Sequence, residues 1–97
     1  MYLMVSKYLA PLDQVDAARD AHQAYLDGLE QRGLLVAGGR QDPPTGGVLL
    51  FDVDTEGAAR ELIAEDPYVT RGLAEYTATG WKPTRGVLAG WTGGRSA

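Results

Sequence analysis

The chain contains a single histidine, His22, and this residue is the first candidate for chemistry. Imidazole can accept or donate a proton near neutral pH, so one positioned histidine can serve as a general acid or base. His22 lies in a stripe of apolar residues at helical spacing, and such a stripe faces the protein interior. A buried imidazole needs hydrogen-bond partners for its ring nitrogens. A packed histidine without a catalytic role gives the same pattern, and spacing alone does not separate the two hypotheses.

Asp66 is the carboxylate that we expect to orient this imidazole. It precedes Pro67 and Tyr68 at the end of a second predicted helix, where the proline restricts the local chain. When two helices lie side by side on one face of a sheet, His22 and Asp66 can approach each other. The alternative is that Asp66 is only a turn residue at the helix end, a role that aspartate often fills. The sequence does not give the distance between the two side chains.

Three further side chains are candidates for binding a substrate. Arg19 lies one helical turn before His22 and could hold an anionic group beside the imidazole. Tyr25 lies one turn after His22 and could supply a hydroxyl, and Tyr68 follows Asp66 closely. Each also has a structural interpretation, Arg19 as a solvated surface residue and the tyrosines as core or interface aromatics.

Composition argues against several other classes of protein and site. The chain has no cysteine, which excludes disulfides, thiolate metal ligands and a cysteine nucleophile. A single histidine and the lack of a calcium-loop spacing predict that the chain has no metal site. We also expect no cofactor. The segment Gly38-Gly39-Arg40 is too short to be a phosphate-binding loop. A net charge of −4 argues against nucleic acid and anionic membranes as partners. Short apolar runs and an N-terminus unlike a signal peptide predict a cytoplasmic protein.

The elements that must position these residues follow from hydrophobic patterning over 97 residues, a length typical of one domain. Residues 1–83 form the predicted domain, and residues 84–97 form a Gly-rich tail. The pattern predicts strands at 2–9, 34–37, 48–53 and 74–82, with a helix after the first strand and another after the third. The order βαββαβ predicts an α+β ferredoxin-like plait, whose four-stranded antiparallel sheet has the first and third strands in its centre.

Capping residues mark the ends of both predicted helices. Asp13 is the predicted N-cap of the first helix, and Gly33 is its stop. Asp54 or Thr55 caps the second helix, which ends before Pro67 because the residue before a proline disfavours the helical region. The candidate histidine therefore lies within the first helix, and the candidate aspartate lies at the end of the second.

The two central strands carry apolar residues toward both faces of the predicted sheet. Along the first strand Leu3 and Val5 face one way, and Tyr2, Met4 and Tyr8 face the other. Along the third strand the apolar residues at 49, 51 and 53 face one way, and those at 48 and 50 face the other. Two helices cover only one face of the sheet, and at ~25 cal/mol per Å² a second apolar face left in water loses several kcal/mol. We therefore predict a homodimer in which these faces pack together about a two-fold axis. The alternative is that the C-terminal tail, with Trp91, folds back over this face.

The order of these motifs resembles the YCII-related (YciI-like) family. The resemblance covers residues 2–83 and rests on Arg19-x-x-His22-x-x-Tyr25-Leu26, on Gly33 followed by a strand ending at Ala37-Gly38, and on Asp66-Pro67-Tyr68. It implies a dimeric α+β barrel and an active-site histidine–aspartate pair, which corresponds here to His22 and Asp66. One branch of the family is associated with dehydrochlorination of a chlorinated hydroxyquinone. The chain departs from the family at Gly39-Arg40, where many members have a proline.

Residue chemistry and resemblance together favour a cofactor-independent enzyme of the lyase or isomerase type. His22 would move a proton on a small oxygenated compound. In the dehydrochlorinating branch of the family, this compound is derived from an aromatic ring. Asp66 would hold the imidazole and stabilise its charged form, and Arg19 would bind a substrate oxyanion. One alternative is a dimeric module that binds a small molecule without reaction, and another is a purely structural interaction protein.

Overall fold

The computed structural model describes residues 1–91, which form one four-stranded antiparallel sheet and four helices. The strands are β1 (Tyr2–Tyr8), β2 (Leu35–Arg40), β3 (Gly47–Phe51) and β4 (Ala74–Gly80), and the helices are α1 (Leu12–Ala17), α2 (Arg19–Gln31), α3 (Glu56–Ala64) and α4 (Pro67–Thr70). The strand order β2-β3-β1-β4 places β1 and β3 in the centre. The predicted α+β ferredoxin-like plait is therefore confirmed.

The first helical region is divided, although the sequence predicts one continuous helix there. Helices α1 and α2 meet at Ala18, whose φ of −99° and ψ of 2° interrupt the helical geometry. The predicted cap at Asp13 is wrong, because α1 already begins at Leu12 after the extended Pro11. Asp13 instead places its charge in the first turn, near the positive end of the helix dipole. The predicted stop is confirmed, since Gly33 has a φ of 72° that favours glycine.

The second helical region begins as predicted and then continues into an extra turn. The Thr55 side chain accepts a hydrogen bond from the Ala58 N–H, so it caps α3. Helix α3 ends at Ala64, before Pro67. The Asp66 side chain then caps the short helix α4 by accepting from the Tyr68 N–H. Asp66 therefore lies at a fixed corner between two helices.

Strand β2 is longer than the prediction that ended it at Ala37. It continues through both glycines to Arg40, because Gly38 pairs with Leu49 and Gly39 pairs with Val48 of β3. The pairing with a neighbouring strand outweighs the low strand propensity of glycine. This extension brings Arg40 to the helix-covered side of the sheet.

The hydrophobic core lies between the helices and one face of the sheet, and its most buried side chains include Met4, Val15, Leu29 and Phe51. The register pairs Leu3 with Leu50 and Val5 with Val48 on the opposite face. Leu3, Val5 and Val48 are half-buried there, so both faces of the central strands are apolar, as predicted.

The rest of the chain adds no further regular element within the described residues. Of the predicted tail, residues 85–90 form bends and turns, and Trp91 is 41% exposed. Residues 92–97 lie outside the described residues. The longest described helix has only 13 residues, too few for a helix that crosses a bilayer.

Candidate active site

His22 and Asp66 form a buried hydrogen bond that joins α2 to the start of α4. The distance from His22 Nδ1 to Asp66 Oδ1 is 2.7 Å, and the Asp66 side chain is fully buried. Because an ionised carboxylate can only accept hydrogen bonds, the ring proton lies on Nδ1. The neutral imidazole therefore carries its free lone pair on Nε2. This is the nitrogen that can take up a proton from another molecule.

Two further donors fix the orientation of the Asp66 carboxylate. Its Oδ1 also accepts from the Tyr68 N–H at 3.1 Å, and its Oδ2 accepts from the Tyr76 hydroxyl at 3.2 Å. The carboxylate is thus held by α2, by α4 and by β4 at the same time. Asp66 is therefore a capping residue and a partner of the histidine at once, and its part in any chemistry stays a prediction.

Aromatic rings fix the plane of the imidazole. The Tyr68 ring stacks on His22 with centroids 3.9 Å apart and planes 8° from parallel. Tyr68 also makes an edge-to-face contact with Tyr8, at a centroid distance of 6.0 Å. With one nitrogen bonded and one face covered, the ring of His22 has little freedom to rotate.

A cavity of about 320 Å³ lies between α2 and the part of the sheet formed by strands β1, β2 and β3. His22 borders this cavity, and its Nε2 has no hydrogen-bond partner among residues 1–91. Gly38 and Gly47 contribute to the cavity floor, and a Cβ at Gly38 would lie only 2.8 Å from Leu49 Cδ2. The volume suits a small molecule about the size of a single ring. The cavity therefore places a space of ligand size beside His22, whose Nε2 is not engaged by the described residues.

Comparisons with known proteins agree with the motif resemblance. The model of the YCII-related domain matches residues 1–82. The chain belongs to the YCII-related family. No curated protein sequence matches it. Among solved structures, this YCII-related chain is similar to the 5-chloro-2-hydroxyhydroquinone dehydrochlorinase of Burkholderia phenoliruptrix AC1100, solved in complex with 2,5-dihydroxybenzoquinone. The two structures superpose with a TM-score of 0.68, and their sequences are 22% identical. The match covers 84% of this chain and 94% of that chain. At this identity the likeness shows a common fold.

The structure of this YCII-related domain brings four of the five predicted site residues together. Arg19, His22 and Tyr68 border the cavity, and Asp66 lies directly behind His22. Tyr25 is not among the cavity-lining residues, because its hydroxyl donates to the Leu62 carbonyl at 2.6 Å and so ties α2 to α3.

Most of the residues that line the cavity were not predicted from the sequence, and Tyr8, Tyr76 and Arg40 are the ones among them with polar groups of interest. Tyr8 and Tyr76 lie on neighbouring strands and face the helices, and Arg40 lies at the end of β2. The alternation along β1 did place Tyr8 on the same side as Met4, which is the signal that points to it. Arg40 could not be placed, because the predicted second strand ended at Ala37, whereas the structure continues it through both glycines to Arg40.

Within the described part of the chain, no cluster of three or more His, Asp or Glu side chains is arranged to hold a metal ion. The predicted lack of a metal and of an organic cofactor stays a prediction.

Because of Tyr76, the stability of this YCII-related domain is expected to depend on pH in the alkaline range. Burial, and then the negative charge of Asp66, raise the pKa of the Tyr76 hydroxyl above the usual tyrosine value. The folded state therefore holds this proton more tightly than the unfolded state, and stability falls as pH rises above about 10. We expect this group to contribute up to about 1.4 kcal/mol per pH unit to the fall.

Urea unfolding of the wild type and Tyr76→Phe between pH 8 and pH 11 measures this contribution. The variant is less stable at pH 8, since it lacks the hydrogen bond to Asp66, but its stability should fall less steeply with pH. Parallel curves for the two proteins would contradict the assignment.

Proposed function

We propose that this chain is a cofactor-independent enzyme that moves a proton on a small, flat, oxygenated compound, with His22 as its general base and acid. The observation that supports this most strongly is the buried 2.7 Å bond between His22 and Asp66, behind an imidazole that borders a cavity. The fold is similar to that of a dehydrochlorinase of a hydroxylated ring compound, and we propose the same broad class of substrate here. We keep the cytoplasm as its predicted location.

In the proposed reaction, Nε2 of His22 accepts a proton from a hydroxyl or C–H group of the substrate. The electron pair left behind either expels a leaving group, as in a lyase, or returns to a proton at a different atom, as in an isomerase. The imidazolium that forms is stabilised by Asp66 at 2.7 Å, and it later returns its proton to the product, to the leaving group or to solvent. Arg19 at the rim would attract an anionic substrate.

His22→Asn tests the proposal, because the asparagine amide can still donate to Asp66 but cannot take up a proton. Full-length protein would be incubated with 5-chloro-2-hydroxyhydroquinone and other hydroxylated rings, and loss of each compound and release of chloride would be followed. We expect turnover to fall by roughly 10²–10⁴-fold in the variant, the usual contribution of a positioned acid–base group. Circular dichroism and urea unfolding would establish that the variant is folded.

Two results would contradict the proposal that this chain is an enzyme. The first is turnover by His22→Asn at the wild-type rate. The second is wild-type protein that binds 2,5-dihydroxybenzoquinone but converts no hydroxylated ring, which would favour the non-catalytic binding module.

The partner of the uncovered sheet face is, in our proposal, a second copy of the chain. Leu3, Val5 and Val48 form an apolar centre on this face, and they are only half-buried in one chain. A two-fold related copy would bury them against the same residues. We expect light scattering to report a dimer for the wild type and a monomer for Val5→Lys, with Glu61→Lys on the exposed side of α3 as a dimeric control. A monomeric wild type would contradict the dimer.

A further inference from the structure

Tyr8 borders the same cavity as His22 but takes no part in the bond between His22 and Asp66. Its hydroxyl oxygen accepts a hydrogen bond from Arg40 Nε at 3.0 Å. A phenol hydroxyl has one proton of its own to donate. The arginine can only donate, and no residue of the range 1–91 accepts the proton of the Tyr8 hydroxyl. The Tyr8 hydroxyl is therefore a hydrogen-bond donor available to a molecule in the cavity.

Arg40, which donates to this hydroxyl, is itself held by contacts at the border of the cavity. The guanidinium extends from the end of β2, where Arg40 pairs with Gly47, and its second arm donates to the Asp16 carboxylate on α1. The carbon of the guanidinium also lies 5.5 Å from the Tyr8 ring centroid. The hydroxyl is thus held by an arginine that is itself fixed by β2 and by Asp16 on α1 before any ligand arrives. Preorganised donors of this kind are effective where negative charge develops on oxygen.

One ring connects this donor to the proposed base. Tyr68 stacks on His22 at 3.9 Å and meets the edge of Tyr8 at 6.0 Å, so the imidazole and the phenol belong to one packed unit. A proton shift on an oxygenated compound needs a base for the departing proton and a donor for the oxygen that gains charge.

We propose that Tyr8 is this donor, that it binds an enolic or phenolic oxygen of the substrate, and that Arg40 is its positioning residue. The role of the oxygen in a reaction rests on the function proposed above for His22. The binding role does not depend on that function, because a donor that borders the cavity can also hold an oxygen of a ligand that is never converted.

The test compares affinities of the full chain for 2,5-dihydroxybenzoquinone by isothermal titration calorimetry. Tyr8→Phe removes only the hydroxyl, and Tyr2→Phe is the matched control because Tyr2 is not a cavity-lining residue. We expect about tenfold weaker binding by Tyr8→Phe, the value of one hydrogen bond to a charged oxygen, and unchanged binding by Tyr2→Phe.

Arg40→Gln, alone and combined with Tyr8→Phe, tests the positioning role. If Arg40 acts through the hydroxyl, Arg40→Gln weakens binding in the wild type but adds nothing in the Tyr8→Phe protein. A residue that only supports the fold would weaken binding in both proteins. Equal and additive losses would therefore overturn the positioning role of Arg40.

Affinity and turnover separate this inference from the proposed function. Equal affinities of wild type and Tyr8→Phe, or no binding by the wild type, would overturn the assignment of Tyr8. Weaker binding by Tyr8→Phe in a protein that converts no compound would support the donor and refute the enzyme.

Discussion

Asp66→Ala is expected to lower the free energy of unfolding by about 3–7 kcal/mol, a large share of the roughly 5–15 kcal/mol typical of a domain. The carboxylate is fully buried and accepts from three donors, on His22, Tyr68 and Tyr76. Alanine removes the cap of α4, which is worth about 1 kcal/mol. It also leaves two buried side-chain donors without an acceptor, at about 1–3 kcal/mol each. Urea unfolding monitored by circular dichroism measures the loss.

Two control variants separate the parts of this effect. Thr55→Ala removes a cap of the same kind at the exposed start of α3, so it should lose only about 1 kcal/mol. Asp66→Asn retains an oxygen for His22 and for the Tyr68 N–H, so it should lose less than half as much as Asp66→Ala. A loss in Asp66→Ala no larger than that in Thr55→Ala would show that the buried bonds contribute little.

Gly46→Ala is expected to destabilise the domain by about 3–6 kcal/mol or to prevent folding, since overpacking adds to lost hydrogen bonds. Gly46 is buried directly before β3, and a Cβ there would lie only 1.8 Å from the Ser6 carbonyl oxygen. The methyl group can fit only if β3 moves away from β1. That movement would break the bonds from the Gly47 N–H to Ser6 Oγ and from Gln41 Nε2 to the Ser6 carbonyl.

Gly28→Ala is the matched control for this substitution. A Cβ at Gly28 meets nothing within 4 Å, and the residue lies in the middle of α2, where alanine is the better helix former. This variant should be more stable than the wild type by about 0.5–1 kcal/mol. Thermal unfolding of both variants gives the comparison. A Gly46→Ala protein as stable as the wild type would show that β1 and β3 are not packed this closely.

The order of strands and helices could be predicted from the sequence because each element carries its own periodic pattern and end signals. Gly33 and Thr55 illustrate this, since each acts through its own backbone or its immediate neighbours. The break at Ala18 and the extension of β2 to Arg40 could not be predicted in this way. Both depend on which distant segments pack against that part of the chain.

In the candidate site, too, some features could be predicted from the sequence and others depend on distant parts of the chain. The approach of His22 to Asp66 follows from topology, because the plait places both helices on one face of the sheet. The bond length, the Tyr76 hydroxyl on the same carboxylate and the arginine on Tyr8 depend on strand register. Register is a long-range property that a single sequence does not display residue by residue. Tyr25 faces α3 for a similar reason, since a small rotation of α2 decides which neighbour its hydroxyl meets.

Nitrogen NMR of the imidazole tests the central claim most directly. His22 is the one histidine of the sequence, so its two ring nitrogens can be assigned without ambiguity in the full-length protein. In the neutral ring, a long-range ¹⁵N–¹H correlation spectrum should show a protonated Nδ1 and an unprotonated Nε2, because the Asp66 carboxylate accepts from Nδ1. The opposite tautomer, with the proton on Nε2, would mean that Asp66 does not hold the ring and that the cavity faces no free base.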